Sequence, residues 1–262
     1  MDLGLDRRVA FVAAGSKGLG RAVAEVLAAE GAAVSICARG REALEATAEA
    51  IRERGGRVHA VVADVSTDDD ITRAIGEAER ALGPIDILVT NSGGPRAGTF
   101  ETLSPADWDH AARVLLTSAV NFTRAVLPGM RVRRWGRILN VTSIAAKQPV
   151  EGLMLSNSLR AAVTAFARTL ANEVAADGVT VNNLMPGYTR TERVVELSTH
   201  LATTEHTTTE AIVARWETEI PMRRLAEPHE FAALAAFLAS ERASYITGQS
   251  IAVDGGWIKG MM

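Results

Sequence analysis

The sequence predicts an α/β fold, a doubly wound parallel sheet of seven strands with helices on both faces. Short apolar runs rich in Val, Ile and Leu alternate with longer amphipathic stretches along almost the whole chain. The first apolar run leads directly into a turn with three glycines and then into a helical pattern. The chain has 262 residues, 47% of them hydrophobic, which is enough to bury a large core. Strands that alternate with helices pair in parallel, since parallel neighbours need a crossover helix between them.

The first half of the chain repeats one unit, an apolar strand followed by an amphipathic helix. Val9 and Val12 bound the first strand, and the helix after it carries apolar residues at helical spacing. Gly31, Gly55 and Gly83 stand where the first three helices end, as glycine commonly does. The strands are predicted at residues 9–12, 33–38, 58–63 and 85–90, and the helices at residues 19–30, 39–54 and 68–82.

The second half continues the alternation around one polar insertion. Ser104, Pro105 and Asp107 form a helix start, with a serine cap, a proline in the first turn and an acid three residues after the cap. The Thr-rich segment of residues 191–220 is predicted to be a lid over the substrate. No linker or repeat interrupts the pattern, so residues 1–262 are predicted to form one domain. The remaining helices are predicted at residues 104–131, 156–176 and 227–238, and the remaining strands at residues 137–142, 179–185 and 249–253.

Composition limits the classes of partner. The formal net charge of −3 argues against a nucleic-acid-binding protein. No apolar run approaches the ~18 residues that a membrane span needs, so the sequence predicts a soluble, cytoplasmic protein with no membrane partner. The single cysteine, Cys37, excludes an internal disulfide and is predicted to be a buried strand residue. The histidines and acids show no metal-ligand spacing, so no metal is expected.

Ligands bind to a doubly wound sheet at the carboxyl ends of the strands, where the strand order reverses. The glycine turn after the first strand suits a phosphate, because glycines admit close backbone approach and the helix N-terminus supplies free N–H groups. The other polar segments that follow predicted strands should converge on the same crevice. These segments are residues 15–20, Asp64, residues 91–94, Ser143 and residues 186–191.

Six motifs stand in order along the chain: the glycine turn, Asp64-Val65, NSGG at 91–94, NVTS at 140–143, PG-x-x-x-T at 186–191 and a C-terminal ASYITGQSIAVDGG. With them the chain resembles the short-chain dehydrogenase/reductases, and within that family the β-ketoacyl carrier-protein reductase-like branch. The resemblance covers nearly the whole chain. It implies a Rossmann-like fold, a nicotinamide dinucleotide, and an oxidoreductase that acts on a small carbonyl or hydroxyl compound. It also implies a homodimer or homotetramer, packed through the helices that begin near Pro105 and Ser156.

The end of the second strand favours NADP(H) over NAD(H). A site for NAD usually carries an acid there to hold the ribose hydroxyls, whereas a 2′-phosphate needs cations. Here the strand ends in Cys37, Ala38 and Arg39, and Lys17 in the glycine turn adds a second positive charge. The alternative is that both cations are solvated surface charges. The predicted cofactor-binding residues are Gly15, Ser16, Lys17, Gly18, Leu19, Gly20, Arg39, Asp64, Val65, Asn91, Ser92, Gly93, Arg160, Pro186, Gly187, Thr189 and Thr191.

The chain departs from the family at its catalytic positions. The resemblance implies a Ser and a Tyr beside the substrate carbonyl, a Lys four residues after the Tyr that lowers its pKa, and an Asn on the preceding long helix. Ser143 is retained, but the spacing puts Ser156 at the Tyr position, Arg160 at the Lys position and Leu115 at the Asn position. Serine is a poor acid at neutral pH, and arginine stays protonated, so it stabilises an oxyanion without relaying a proton. The predicted catalytic residues are Ser143, Ser156 and Arg160, and Ala14 replaces the first glycine of the family's turn.

Several roles stay open. Arg160 is expected to bind the cofactor first and to act electrostatically second, the alternative being an outward-facing helix arginine. Tyr188 and Lys147 are candidates for the missing acid, with packing and loop exposure as their alternatives. The lid residues Val194 and Leu197, with Trp216 nearby, indicate a partly apolar pocket and do not identify the substrate.

Three functions are compatible with the sequence. The first is an NADP(H)-dependent oxidoreductase with an atypical proton donor. The second is a catalytically inactive nucleotide-binding pseudoenzyme or partner subunit. The third is an enzyme of another reaction type that uses the cofactor only as a scaffold. The first is favoured because the cofactor-side residues and Ser143 are retained.

Overall fold

A computed structural model describes residues 2–260 of the chain. Its strands are β1 (Val9–Val12), β2 (Ala33–Ala38), β3 (Val58–Val62), β4 (Ile87–Thr90), β5 (Gly136–Val141), β6 (Val179–Pro186) and β7 (Ser250–Val253). They pair in parallel in the order β3-β2-β1-β4-β5-β6-β7. The order reverses between β1 and β4, which confirms the doubly wound sheet predicted from the sequence. This reversal opens a crevice at the carboxyl ends of β1 and β4.

Helices cover both faces of the sheet. They are α1 (Gly18–Ala29), α2 (Arg41–Glu53), α3 (Asp68–Leu82), α4 (Pro105–Ala112), α5 (Ser118–Arg133), α6 (Met154–Val174), α7 (Glu192–Thr204), α8 (Thr209–Glu219) and α9 (Pro228–Ala239). On one face, α1, α2 and α9 bury Leu27, Leu44 and Phe231 against the strands. On the other face, α3 and α5 bury Ile71 and Phe122, and α6 completes the layer. The apolar surface removed from water on both faces is what fixes the helices to the sheet.

The long helix predicted at residues 104–131 is present, but it is not α-helical throughout. A π-helical turn, Arg113–Thr117, lies between the two stretches named α4 and α5. At its end the hydroxyl of Ser118 donates to the carbonyl of Val114 at 2.6 Å. The apolar periodicity of the sequence continues through the turn, so nothing in the pattern indicates it. Such π-turns insert one residue into a helix and are frequent at functional sites.

The Thr-rich segment after β6, predicted as a polar insertion, forms α7 and α8. Its threonine hydroxyls bond to the carbonyl four residues back, as Thr199 does to Val195 and Thr203 to Thr199, both at 2.9 Å. These bonds satisfy the hydroxyls within the helix, so the threonines leave no polar group without a partner there. Within residues 2–260 the chain therefore forms nine α-helices rather than the six predicted.

Most other bounds agree with the predictions to within about two residues, and α3 has the predicted ends. Cys37 is fully buried in β2, as predicted, and burial raises the pKa of its thiol to about 12. A thiol that stays protonated and has no access to solvent is inert. Among the helices of residues 2–260, none has both the length and the apolar character to cross a membrane.

Candidate active site

A cleft of about 730 Å³ opens at the carboxyl ends of the strands. Loops after β1 to β6 line it, together with the first turns of α6 and α7. It gathers almost every residue predicted for the site, although these residues are spread over most of the chain. Those on its walls are Ser16, Lys17, Gly18, Leu19, Arg39, Asp64, Val65, Asn91, Ser92, Gly93, Ser143, Ser156, Arg160, Pro186, Gly187, Thr189 and Thr191.

Two predicted glycines, Gly15 and Gly20, lie beneath the turn and not on the cleft wall. A Cβ at Gly15 would stand 2.9 Å from the side chain of Ile36. A Cβ at Gly20 would stand 2.7 Å from Nδ2 of Asn91 and would collide with the carbonyl of Ala14. Both glycines let α1 approach the strands closely, and this approach sets the shape of the turn. Their part in cofactor binding stays a prediction.

The turn keeps a glycine-like backbone where the family's first glycine is missing. Ala14 has φ +48° and Gly18 has φ +52°, both in the left-handed region. An alanine in that region costs roughly 1–2 kcal/mol relative to glycine. Ala14 itself lines the cleft. The surrounding contacts therefore hold this backbone in place without the glycine that would favour it.

Gly20→Ala is expected to lower the free energy of unfolding by about 1–3 kcal/mol and to weaken dinucleotide binding. The added methyl group must displace backbone at Ala14, which the tight turn resists. Gly76→Ala in α3 is the matched control, because its Cβ would make only an ordinary contact with Arg80, at 3.5 Å. Thermal unfolding of both variants measures the difference. Equal melting temperatures for the two variants would show that the turn is not tightly packed.

Arg39 and Asp64 mark the end of the cleft at β2 and β3. Arg39 is exposed and lines the cleft. Partial burial raises the pKa of Asp64, but hydrogen bonds from Ser66 and the charge of Arg39 outweigh it and hold the pKa below its usual range. The backbone N–H of Asp64 donates to Asp70 at 2.7 Å, which fixes the start of this loop. This end of the cleft thus presents the ionised carboxylate of Asp64 and the exposed guanidinium of Arg39.

A buried ladder of polar side chains crosses the sheet just below the cleft. Thr90 donates to Asn140 at 2.7 Å, Asn140 to Asn183 at 3.2 Å and Asn183 to Ser250 at 3.0 Å. The ladder joins β4, β5, β6 and β7, and its members satisfy one another away from water. Asn91 directly follows Thr90 in the chain, so the ladder fixes where the polar loop after β4 begins.

Ser143 and Ser156 both line the cleft. The Oγ of Ser143 accepts from the backbone N–H of Ala145 at 3.1 Å, which leaves the hydroxyl proton free to be donated. Ser156 lies in the first turn of α6 and is 8% exposed, with its open side on the cleft. Asn157 bonds to both backbone groups of Val150, which ties this loop to α6. The arrangement provides hydroxyl donors but no phenol.

Arg160 lies on the cleft wall, so it is not the outward-facing helix residue considered as the alternative. Only 8% of it is exposed, and Nη1 donates to the carbonyl of Val141 at 2.6 Å. Its Nε is buried and has no hydrogen-bond partner among residues 2–260. Burial, with a contribution from the charge of Arg193, lowers the pKa of Arg160 to about 10. At neutral pH the side chain remains a cation.

Leu115 lies in the π-turn, is 3% exposed and does not reach the cleft surface. Leu115 is therefore a core residue. Its neighbour Val114 lines the cleft instead. The chain therefore presents an apolar wall where the family resemblance implies an amide.

The two residues considered as replacement acids are not placed for that role. Lys147 is exposed and lies outside the cleft. Tyr188 lines the cleft, but its ring stacks on Trp216 at 4.4 Å between centroids and meets Trp257 edge-on at 6.1 Å. Burial, helped by the charge of Glu219, raises the pKa of Tyr188 to about 12. A phenol with this pKa is a weaker acid than usual, which favours the packing role over the acid role for Tyr188.

Tyr188→Phe is expected to leave turnover within about threefold of the wild type, because the ring contacts remain and only the hydroxyl is lost. The pH profile of kcat should likewise be unchanged, since a group with a pKa of about 12 does not titrate between pH 6 and 10. Steady-state kinetics of the two proteins provide the measurement. A hundredfold loss of kcat would identify Tyr188 as the proton donor after all.

The lid segment meets the cleft through α7. Val194 and Leu197 line it, as expected, but Trp216 is buried beneath Tyr188 and does not. Sequence reasoning missed Arg193, whose Nη2 donates to the carbonyl of Pro95 at 2.8 Å and so joins α7 to the loop after β4. No apolar pattern or motif marks such a contact.

Sequence reasoning also missed His110. It is exposed on α4 but lies on the cleft wall, four residues before Val114. The helix-face relation between these two positions is a signal that the sequence does contain. It becomes informative only once Val114 is known to face the cleft.

Comparison with known proteins identifies the family. The family model for enoyl-(acyl carrier protein) reductase matches residues 13–258. The chain is 38% identical over 251 residues to the monensin polyketide synthase putative ketoacyl reductase of Streptomyces virginiae, covering 95% of this chain and 96% of the relative. It is 34% identical over 257 residues to the 3-oxoacyl-[acyl-carrier-protein] reductase of Aquifex aeolicus, covering 98% and 99%. The structure of L-sorbose reductase from Gluconobacter frateurii, complexed with NADPH and L-sorbose, matches with a TM-score of 0.94 and 33% identity over 100% of both chains. Fold, motifs and relatives agree, and the chain belongs to the short-chain dehydrogenase/reductase family.

Proposed function

We propose that the protein is an NADP(H)-dependent oxidoreductase that interconverts a carbonyl and a hydroxyl compound, with an atypical proton donor. The observation that carries the proposal is the single cleft that brings the cofactor-side motifs together with Ser143 and Arg160. The relatives named ketoacyl reductases, and the sorbose reductase complexed with NADPH, support the same reaction class. When bound, the nicotinamide would supply a hydride to the carbonyl carbon.

The cleft residues fit a phosphorylated dinucleotide. The turn around Gly18 has the left-handed backbone of a phosphate loop, and a Cβ at Gly93 would meet nothing within 4 Å, so that wall has room. Lys17 and Arg39 line the cleft, and neither forms an ion pair with a carboxylate of residues 2–260. Two such cations suit a 2′-phosphate, for which the planar fork of arginine is well shaped.

Ser143 and Arg160 would act on the developing negative charge. The hydroxyl of Ser143 can donate to the substrate oxygen, because Oγ accepts from the N–H of Ala145 and its proton has no acceptor among residues 2–260. Arg160 is a permanent cation in a site that water enters poorly, where its field is strong. Ser156 offers a second hydroxyl in place of the family's phenol. These groups stabilise an oxyanion, but none of them is a proton donor matched to neutral pH.

His110 is the histidine on the cleft wall among the described residues, and we propose it as the proton donor, acting through water. Histidine is the side chain whose ordinary titration range lies nearest to neutral pH. The exposed position of His110 on α4 leaves space for the water between it and the substrate oxygen.

His110→Gln is expected to lower kcat about 100-fold. Steady-state rates at neutral pH provide the test, with His200→Gln on α7 as the control. A folded His110→Gln variant with wild-type kcat would exclude His110.

A second function is favoured by one observation, the absence of an amide, phenol and lysine at Leu115, Ser156 and Arg160. We offer as the alternative a nucleotide-binding pseudoenzyme or partner subunit, which keeps the cofactor cleft without turnover. Assembly into a homodimer or homotetramer is compatible with either function and stays a prediction.

One experiment separates these functions. The wild type is mixed with NADPH and a panel of β-ketoacyl esters, quinones, aldehydes and oxo acids, and absorbance at 340 nm is followed. An oxidoreductase is expected to consume NADPH with at least one class of substrate. With neutral ketones the turnover rate should be well below the ~10 per second typical of enzymes. Tight NADPH binding with no consumption for any class would favour the pseudoenzyme. Absence of NADPH binding would contradict both.

A further inference from the structure

Among residues 2–260, two arginines are buried, and their surroundings differ sharply. Arg137, 2% exposed, donates to the carbonyls of Ser240 and Gly136, pairs with Glu241 at 3.6 Å and lies 4.3 Å from the ring of Trp135. Burying a charge is costly unless it is paired and hydrogen-bonded, and Arg137 meets both conditions. It is a structural cation.

Arg160 meets neither condition fully. Among the described residues its side chain makes one hydrogen bond, to Val141, and its Nε is buried with no partner there. No carboxylate of residues 2–260 forms an ion pair with it. The nearby charge of Arg193 is also positive and adds to the cost of the buried cation. The protein thus maintains an uncompensated positive charge on the wall of its cleft.

Arg193 strengthens this positive field. It lines the same cleft, and its only carboxylate contact within the described residues is with Glu196, at 3.7 Å on the exposed surface of α7. An exposed pair at this distance is weak and screened by water. The Pro95 contact holds the Arg193 guanidinium at the cleft despite its repulsion from Arg160.

The phosphates of the cofactor are not expected close enough to Arg160 to compensate its charge. They are expected at the glycine turn after β1 and at Arg39 after β2. Arg160 is instead bonded to the end of β5, two strands away from β1 in the sheet. At the usual spacing of 4.7–4.9 Å between strands, this separation is about 10 Å. A ribose hydroxyl, which the family resemblance implies at this position, is neutral and would leave the charge uncompensated.

We propose that Arg160 and Arg193 bind the carboxylate of an anionic substrate, an oxo acid whose carbonyl lies beside Ser143. This rests on the proposed function and names its substrate class. The Nη1 atom of Arg160 is held by Val141, so the edge formed by Nε and Nη2 is the part of the fork that no protein acceptor uses. A carboxylate in the cleft would pair with Nη2, and it would reach Nε as well once the guanidinium shifts towards the cleft, because Nε is buried.

The test compares an acid with its neutral ester. Wild-type protein saturated with NADP⁺ is titrated calorimetrically with 3-oxobutanoate and with its methyl ester, and with pyruvate and methyl pyruvate. Each acid is expected to bind about 10- to 100-fold more tightly than its ester, as for hydrogen bonds to a charged group. Oxidised cofactor prevents reduction of the ligand, so binding is read without turnover.

Variants assign the effect to the arginine. Arg160→Gln is expected to remove the preference for the acid, and Arg160→Lys to retain part of it because the charge remains. Arg168→Gln is the control, since Arg168 lies two turns further along α6, is exposed and stands outside the cleft. It should keep the full preference.

The possible outcomes distinguish a failure of this inference from a failure of the proposed function on which it rests. Equal binding of acid and ester by wild-type protein that binds NADP⁺ would overturn the inference and leave the function standing. So would a preference that survives in folded Arg160→Gln. Failure to bind NADP⁺ and NADPH at all would overturn the function itself. The wild-type comparison needs no variant, so it decides the matter even if Arg160→Gln does not fold.

Discussion

The triple variant Leu115→Asn, Ser156→Tyr, Arg160→Lys is expected to reduce neutral ketones up to about 100-fold faster than the wild type, because it adds a positioned phenol to a site whose proposed donor acts only through water. Ser156 opens onto the cleft, so a tyrosine ring there extends into free space. Residue 160 lies one helical turn further on the same face, where a lysine cation would lower the phenol pKa. NADPH consumption at 340 nm with a neutral β-ketoacyl ester provides the measurement.

The control is the double variant Leu115→Asn, Arg160→Lys, which lacks the phenol and should gain nothing. Leu115 is buried, so its replacement by Asn costs stability, and thermal unfolding must show that both proteins are folded. NADPH affinity is measured in parallel. A folded triple variant that binds NADPH and gains no ketone reduction would mean that the missing acid does not separate this chain from its relatives.

Arg39→Ala is expected to weaken NADPH binding about 10- to 100-fold and to leave NADH binding unchanged. The difference between the two cofactors is the 2′-phosphate, and hydrogen bonds to a charged group are worth roughly 1.5–3 kcal/mol. The double variant Lys17→Ala, Arg39→Ala should lose the preference for NADPH altogether. Calorimetric titration with each cofactor gives these affinities.

Arg52→Ala provides the matched control, because Arg52 is an exposed arginine on α2 that pairs with Glu49 at 3.1 Å and lies outside the cleft. It removes the same charge from the same region without touching the cleft. If Arg39→Ala and Arg52→Ala weaken NADPH binding equally, only the overall charge of this surface matters. In that case Arg39 would be the solvated cation that the sequence analysis considered as the alternative.

The apolar periodicity of the sequence and the glycines that end its segments were sufficient to predict the sheet. The apolar runs are short and bounded by glycines, so each strand could be placed within about two residues, and the ends of α3 were predicted correctly. Local hydrogen bonds that leave the pattern unchanged could not be foreseen. The π-turn at Arg113–Thr117 carries the same apolar spacing as a regular helix, and the threonines of α7 satisfy their hydroxyls in a way that composition hides.

For the site, motifs predicted the positions along the chain, and the strand order brought them together. What the sequence could not provide is the direction of each side chain and its partners. Trp216 was expected at the pocket but packs beneath Tyr188, whereas Arg193 and His110 reach the cleft from helices that no motif marks. The uncompensated charge of Arg160 is also invisible in the sequence, because it depends on the absence of carboxylates that are near in space and not along the chain.

The most direct test of the account is calorimetric titration of the wild-type protein with NADPH and, separately, with NADH. The cleft is expected to retain the dinucleotide site and to select the 2′-phosphate through Lys17 and Arg39. NADPH should therefore bind at least about 10-fold more tightly than NADH. Equal affinities would contradict the assignment of NADP(H), and no binding of either cofactor would contradict the account as a whole.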